Sequence, residues 1–206
     1  MVPTQEFETK RITVPDFEAA LGTKLSPFVQ NKIKTADLIY RDLSATERDE
    51  CLIKMLRFLL NDSVTSAGEH RREQWESGWK ENLENFRKTG DTSDVMPHYF
   101  GKYPFNRFAQ NLIYALSPGF ELTMLSIIQY WLFEKYLSPF QNVYEFGCGT
   151  GHNLLRLREV NPDADLWGLD WVDASVNLIQ KTGEKRNDRK LFGHKFDFFN
   201  PDCNFH

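Results

Sequence analysis

A glycine-rich segment constrains the fold of this chain more than any other feature of its sequence. It reads EFGCGTG, runs from Glu145 to Gly151, and follows a short strand candidate that begins at Gln141. Glycine allows the backbone to turn sharply and to pass close to a ligand, because no side chain intervenes. The helix expected from His152 presents free amides and the positive end of its dipole to the same turn. These residues predict a ligand-binding turn between a strand and a helix.

The spacing of the glycines argues against two common nucleotide-binding turns. A dinucleotide fingerprint, G-x-G-x-x-G, that starts at Gly147 requires glycine or alanine where the chain has His152, and one that starts at Gly149 meets Leu154. A P-loop ends in Gly-Lys-Ser/Thr, which this segment lacks. The pattern that remains is an acidic residue followed by three glycines at alternate positions.

The segment lies in an alternating series of strands and helices that begins after Pro139. The predicted elements are a strand from Gln141 to Glu145, a helix from His152 to Val160, a strand from Asp165 to Asp170, a helix from Ala174 to Lys181 and a strand from Leu191 to Phe199. Such a series is typical of a parallel sheet with right-handed crossovers. We therefore predict an α/β fold over residues 139–206.

Residues 1–138 are predicted to form a separate, all-α region. Four stretches have the apolar spacing of helices: Phe28 to Asp42, a helix that starts at the capping box Ser44-Ala-Thr-Glu47, Glu69 to Lys88, and a helix from Ser117-Pro118 that stops before Pro139. In the third of these, Trp75 and Trp79 are expected in the core of the helical region. A loop from Thr92 to Phe108 is expected to connect the third helix to the fourth.

Composition excludes several classes of protein. With 41% hydrophobic and 26% charged residues, the chain has the composition of a globular protein rather than a disordered one. Its net charge of -4 provides no basic excess, so nucleic acid is not expected as a partner.

Cysteine usage and hydropathy predict the compartment. Cys51, Cys148 and Cys203 have no CxxC spacing, which disfavours a structural zinc site and a disulfide framework. There is no signal-peptide stretch, and the longest apolar run, Leu122 to Phe133, is too short to span a membrane. We expect a cytoplasmic protein that binds neither a metal nor a membrane.

Three short motifs follow one another along residues 142–202. The first is the acidic and glycine-rich segment. In the second, Leu-Trp-Gly-Leu-Asp170, a strand ends in an acid 19 residues after Gly151, and the third is Lys195-Phe-Asp197-Phe-Phe199. In order and spacing they resemble the motifs of the class I S-adenosylmethionine-dependent methyltransferases. The resemblance implies that residues 139–206 are the N-terminal half of a Rossmann-like domain whose cofactor is S-adenosylmethionine.

The first motif of this resemblance implies contacts with the methionine part and ribose of the cofactor. Glu145 matches the acidic residue that orients the amino group of the cofactor. The loop that passes beneath the methionine part and ribose contains Gly147, Cys148, Gly149 and Gly151.

The second and third motifs imply contacts with the adenosine part. Asp170 matches the carboxylate that accepts hydrogen bonds from both ribose hydroxyls, and Trp171 would lie beside the adenine. Asp197 matches the residue that receives the adenine amino group, and Phe198 would offer a backbone amide to the ring.

The acceptor site is less constrained by the sequence. Methyl transfer by in-line displacement works largely through proximity and alignment, so no catalytic base is assigned. The helical region would recognise the substrate. Its aromatic and basic loop can form a lid or a substrate wall, with polar tips from Tyr99, Lys102, Tyr103 and Arg107, or it can be a packed connector. Since neither a basic surface nor a peptide groove is evident, we expect a small-molecule acceptor.

The resemblance also implies a seven-stranded sheet, of which this chain has three predicted strands. A whole domain of this kind needs about 100 further residues. We therefore expect a truncated chain, a homo-oligomer that covers the open edge of the sheet, or coverage of that edge by the helical region. Two other functions stay open: a non-catalytic module that binds the cofactor or a partner chain, and a nicotinamide-binding oxidoreductase.

Overall fold

The structure is a computed structural model that describes residues 7–60 and 68–201. The chain is of mixed α/β type and divides into two compact units. The first unit comprises Met1–Ser66 and Tyr99–Trp131, and the second comprises Ala67–His98 and Leu132–His206. Each unit combines two stretches of the chain, so this division differs from the single boundary predicted after residue 138.

The described residues form seven strands and seven α-helices. The strands are β1 (Thr9–Arg11), β2 (Ile39–Asp42), β3 (Phe105–Phe108), β4 (Asn111–Ala115), β5 (Asn142–Phe146), β6 (Asp165–Asp170) and β7 (Leu191–Lys195). The helices are α1 (Val14–Leu21), α2 (Pro27–Thr35), α3 (Ala45–Leu60), α4 (Arg72–Thr89), α5 (Phe120–Tyr136), α6 (His152–Val160) and α7 (Asp173–Arg186). Among these described helices, none has the length and apolar character that a bilayer span requires.

The first unit contains an antiparallel sheet in the order β1-β2-β4-β3, so the prediction of an all-α region over residues 1–138 is wrong. The predicted helix that reaches Asp42 ends as α2 at Thr35, and β2 follows it. Strands β3 and β4 form a hairpin whose turn residues, Ala109 and Gln110, have φ angles of 44° and 68°. Because such turns usually contain Asn or Gly, the sequence lacks the usual signal for this hairpin.

The predicted capping box at the start of α3 is confirmed. The backbone amide of Glu47 donates to Oγ of Ser44 (3.2 Å), and the amide of Ser44 donates to Oε2 of Glu47 (2.9 Å). Arg41 on β2 binds the same carboxylate at 2.6 Å, and these contacts lower the pKa of Glu47 to about 2. The N-terminal end of α3 is therefore fixed to the antiparallel sheet.

The second unit contains a parallel sheet in the order β5-β6-β7, with α6 and α7 as the connections. The predicted series of strand, helix, strand, helix and strand is confirmed. Tyr144 pairs with Trp167, which pairs with Phe192, so the carboxyl ends of all three strands lie at one edge of the sheet. Strand β7 ends at Lys195 rather than at the predicted Phe199.

Helix α4 contributes to the core of this second unit. Buried residues of α4 share one apolar cluster with residues of α6, β6 and α7: Leu83 and Phe86 with Leu154, Leu166 and Ile179. Trp75 and Trp79 of α4 stack on each other, with ring centroids 5.6 Å apart, and are only partly buried. The sequence predicts that they lie in the core of a separate helical region, and this prediction is wrong.

Candidate functional site

The loop between β5 and α6 has a backbone that only glycine adopts readily. Gly147, Gly149 and Gly151 have φ angles of 68°, 54° and 76°, all in the left-handed region. The amides of Gly147 and Cys148 donate to the carbonyl oxygen of Leu169, at 2.7 and 3.2 Å. The loop is therefore held tightly against the end of β6.

The space around the three glycines differs. A Cβ at Gly149 would lie 3.0 Å from Cζ2 of Trp79, and one at Gly151 would lie 2.7 Å from Cγ1 of Ile179. A Cβ at Gly147 would meet no atom within 4 Å from the described residues beyond its own chain neighbours. Two glycines are therefore needed for packing within the chain as well as for their φ angles. The space beside Gly147 is open to a ligand.

Glu145 lies at the carboxyl end of β5, beside this loop. Its Oε1 accepts a hydrogen bond from Nδ2 of Asn153 at 2.7 Å. Its Oε2 is buried and has no hydrogen-bond partner among the described residues. Burial is the main cause that raises the pKa of Glu145 to about 7, against the smaller opposing effect of the Asn153 hydrogen bond. The carboxyl group is therefore poised between its charged and neutral forms near neutral pH.

Asp170 lies at the carboxyl end of the neighbouring strand β6 and is only 5% exposed. Its Oδ2 accepts from the amide of Gly149 at 2.8 Å, and its Oδ1 accepts from the amide of Val172 at 3.2 Å. Burial raises the pKa of Asp170, and these two amides act in the opposite direction. Asp170 thus connects the glycine loop to the loop that follows β6.

Cys148 is a buried thiol within the glycine loop. Its Sγ lies 3.6 Å from the hydroxyl of Ser175, which also donates to the carbonyl of Gly149. Burial raises the pKa of the Cys148 thiol, so the group stays protonated and is no nucleophile near neutral pH. Cys51 is likewise buried and free, whereas Cys203 lies outside the described residues.

His152 and Thr150 form a second buried polar pair beside the glycines. Nδ1 of His152 lies 3.1 Å from the Thr150 hydroxyl, and both residues are buried. Burial, with a smaller contribution from Arg156, lowers the pKa of His152 to about 4. The imidazole is therefore neutral near pH 7.

The residues predicted to contact the adenosine part surround the ends of β6 and β7. The amide of Phe196 donates to the carbonyl of Asp170 at 2.9 Å, which places the third motif beside the second. Oδ1 of Asp197 accepts from the amide of Phe199 at 2.9 Å. Phe198 is 65% exposed. The structure therefore brings Glu145, the glycine loop, Asp170, Trp171, Asp197 and Phe198 to one edge of the sheet.

Two residues of α4 join this cluster without any sequence signal. Nη2 of Arg72 donates to the carbonyl of Trp171 at 3.2 Å, and its Nη1 lies 3.9 Å from Oδ2 of Asp197. Both oxygens of Glu76 accept from the amide of Ala174, at 3.2 and 3.3 Å. Trp171 lies 99 residues from Arg72, Ala174 lies 98 residues from Glu76, and Asp197 is further along the chain, so neither pattern nor spacing reveals the contacts.

The four residues predicted to contact a substrate lie in the first unit. Tyr99, Lys102 and Tyr103 are in the loop before β3, and Arg107 is on β3 itself; all four are exposed. The loop is anchored where the amide of Gly101 donates to Oε2 of Glu121 at 2.8 Å. The residues predicted to bind the cofactor all belong to the second unit.

Comparisons with known proteins identify no relative of this chain. No protein-family model, no curated protein and no solved structure matches the chain. The argument about function therefore depends on the residues at the carboxyl ends of β5, β6 and β7.

Proposed function

We propose that the chain is an S-adenosylmethionine-dependent methyltransferase, or the cofactor-binding part of one, and that its second unit is the first half of a Rossmann-like domain. The observation that carries the proposal is Oε2 of Glu145, a buried carboxylate oxygen with no hydrogen-bond partner among the described residues. It lies at the end of a parallel strand, beside a turn of three left-handed glycines.

An unsatisfied buried oxygen costs about 1–3 kcal/mol, so its retention calls for a ligand that satisfies it. The α-ammonium group of the methionine part is such a ligand, because it donates hydrogen bonds and carries the opposite charge. The open space beside Gly147 admits the same part of the cofactor, since, apart from its two chain neighbours, no described residue has an atom within 4 Å of its missing Cβ.

The adenosine part fits the neighbouring strand ends. The carboxylate of Asp170 accepts the amides of Gly149 and Val172, and the amide of Trp171 and the hydroxyl of Ser175 also contact it. Ribose hydroxyls that bind Asp170 would therefore share its oxygens with these groups. Asp197 is on the adjacent motif, and Trp171 and Phe198 provide aromatic surface for the adenine. Nothing in this set requires a phosphate, which agrees with the absence of a P-loop.

The chemistry that S-adenosylmethionine supplies is an electrophilic methyl group on a sulfonium. Glu145 would hold the ammonium of its methionine part, Asp170 would lie beside the ribose, and Asp197 would receive the adenine amino group. Residues of this chain bind and align the reactants, and alignment is the principal source of rate in such a displacement. The acceptor we favour is a small molecule.

Titration calorimetry with S-adenosylhomocysteine tests this function. We expect the wild-type chain to bind it, and Glu145→Gln to bind about 10–100-fold more weakly. Glu184→Gln on the exposed face of α7 is the matched control and should bind like wild type. A folded wild-type chain that does not bind S-adenosylhomocysteine, or that binds NAD instead, overturns the proposal.

A second function, a module that binds a partner chain, is favoured by one specific observation. On one face of the parallel sheet, the rings of Tyr144, Trp167 and Phe192 stack in a row, with centroids 5.9 and 4.3 Å apart. Tyr144 is 40% exposed, and Phe146 on the same face is 48% exposed. If the folded chain binds no S-adenosylhomocysteine, this aromatic face supports the interaction role instead.

A further inference from the structure

A chain of polar contacts leads from Glu145 into helix α6. Nδ2 of Asn153, in the first turn of α6, donates to Oε1 of Glu145 at 2.7 Å. Nη1 of Arg156 donates to Oδ1 of the same Asn153 at 3.4 Å. Residues three apart on a helix are neighbours on its surface, so Arg156 lies behind Asn153 on the side of α6 that faces Glu145. The amide of Asn153 thus connects a carboxylate to a guanidinium.

Arg156 fixes the orientation of this amide. A guanidinium has only hydrogen-bond donors, so the atom of Asn153 that faces it must be the oxygen Oδ1. The amide nitrogen is then the atom that faces Glu145, where it donates to Oε1. In the reversed orientation, the amide oxygen would face the carboxylate and the amide nitrogen would face the guanidinium. Oε1 is therefore occupied, and Oε2, which has no partner among the described residues, is the oxygen that remains for a ligand.

Arg156 is itself buried and held in place. Its residue is only 6% exposed, and its Nη2 donates to Sδ of Met96 at 3.6 Å. The carbonyl of Met96 in turn accepts from Nδ2 of Asn82 on α4, at 3.1 Å. A guanidinium costs more to bury than an apolar side chain of similar size, so packing alone does not explain Arg156 at this position.

The charges around Glu145 agree with this geometry. Burial has the largest effect on the pKa of Glu145 and raises it, as does the charge of Asp170, whereas the Asn153 hydrogen bond and the charge of Arg156 lower it. Two further titratable groups lie between Glu145 and Arg156 in the chain, and both are neutral near pH 7: Cys148 and His152. Arg156 thus favours the ionised form of Glu145, which is the form that an ammonium group binds.

We propose that Arg156 is a positioning residue of the ligand site at Glu145: through the amide of Asn153, it orients the carboxylate so that Oε2 remains for the ammonium group of the ligand. The inference rests on the proposed function for the identity of that ligand. The contacts among Glu145, Asn153 and Arg156 exist without it, so they can be tested in the ligand-free chain.

Nuclear magnetic resonance of the chain with isotope-labelled glutamate carboxyl groups measures the titration of Glu145 without a ligand, and Glu145→Gln identifies its signal by removing it. We expect a midpoint at about pH 7 in wild type. Arg156→Met, which removes the charge and the donors, should raise the midpoint by about one pH unit, and Arg156→Lys, which keeps a charged donor, by less than about 0.3. Lys181→Met removes a cation from the exposed face of α7 and is the matched control, which should titrate like wild type.

Asn153→Ala tests whether Arg156 acts through the amide. Asn153 is only partly buried and alanine suits a helix, so circular dichroism should show an unchanged fold. This variant should also raise the midpoint of Glu145 by about one pH unit, because a hydrogen bond to the carboxylate is lost. In the double variant with Arg156→Met, the rise should be smaller than the sum of the two, since both changes remove the same hydrogen bond. An unchanged midpoint in Asn153→Ala, or two shifts that add in full, overturns the proposal.

Titration calorimetry with S-adenosylhomocysteine separates this proposal from the proposed function. If the midpoint is raised by about one pH unit, the affinity of Arg156→Met should fall about tenfold at about pH 6 and about twofold at about pH 8, because the loss follows the ionised fraction of Glu145. A merely structural role would give the same loss at both pH values, and that result overturns the positioning role while the proposed function stands. Midpoints that move as expected in a chain that binds no S-adenosylhomocysteine overturn the proposed function and support the positioning of Glu145 by Arg156.

Discussion

Two neighbouring strands of the parallel sheet each have a carboxylate at their carboxyl end, and the two carboxylates differ in the hydrogen bonds that they accept. Asp170 on β6 accepts one backbone amide on each oxygen. Glu145 on β5 has one oxygen on Asn153 and another that is buried without a partner among the described residues. The difference suggests that Asp170 is needed first to build the glycine loop, whereas Glu145 has capacity left for a ligand.

The largest effect is expected from Asp170→Ala. The change leaves the buried amides of Gly149 and Val172 without their acceptor, so the free energy of unfolding should fall by about 2–4 kcal/mol. Urea denaturation followed by circular dichroism measures it. Asp165→Ala, at the amino end of the same strand, is the control and should cost less. If the free energy of unfolding of Asp170→Ala falls by less than about 0.5 kcal/mol, Asp170 does not have this structural role.

Glu145→Gln should show the opposite pattern. The amide side chain keeps an oxygen for Asn153 and removes a buried carboxylate, so the free energy of unfolding should stay the same or rise. The affinity for S-adenosylhomocysteine should fall about 10–100-fold, because the charged acceptor for the ammonium is gone. Urea denaturation and calorimetry on the same sample give both numbers. If stability falls while affinity is unchanged, the contrast with Asp170 disappears.

The pH dependence sharpens the same contrast. An ammonium ligand binds the ionised form of Glu145, whose pKa is raised to about 7. Affinity for S-adenosylhomocysteine should therefore rise about tenfold per pH unit from about pH 5.5 and level off as the pH passes 7. Calorimetry across this window measures it, with Glu145→Gln as the control that should show a flat profile.

Stability should change in the opposite direction over an overlapping window. Between pH 4.5 and about 7, folded Glu145 holds a proton that the unfolded chain has released. The contribution of this group to stability is therefore complete below pH 4.5 and is lost as the pH rises through about 7. The free energy of unfolding, measured by urea denaturation at each pH, should fall less steeply with pH for Glu145→Gln than for wild type. An equal dependence on pH in the two proteins would place the pKa of Glu145 near its ordinary value.

The smallest effect is expected from Arg72→Gln. The guanidinium is half-exposed and lies 3.9 Å from Asp197, so the free energy of unfolding should change by less than about 1 kcal/mol. Because Arg72 also binds the carbonyl of Trp171, affinity for S-adenosylhomocysteine should change only a few-fold. Calorimetry tests this, with Arg71→Gln on the preceding turn as the control. If Arg72→Gln loses as much affinity for S-adenosylhomocysteine as Glu145→Gln does, Arg72 is itself a principal ligand-binding residue.

Local patterns in the sequence were sufficient for the parallel sheet but not for the antiparallel one. In the second unit, each strand and helix carries its own periodicity, and the glycines mark the turn between β5 and α6. In the first unit, β2 is four residues long, and the β3–β4 hairpin turns through Ala109 and Gln110 rather than through glycine or asparagine. Short strands without turn signals are stabilised by partners that lie far away in the sequence, so the pattern of residues within each strand does not predict them.

The sequence by itself determined that an acid, three glycines and a second acid meet where two parallel strands end. It did so because strand periodicity and glycine conformation are local properties. Only the tertiary structure decided that Asp170 accepts amides while Glu145 has an oxygen without a partner in the described part of the chain, and that Arg72 and Glu76 of α4 join the site. Hydrogen-bond partners and burial depend on which distant segments pack together, and no local pattern records them.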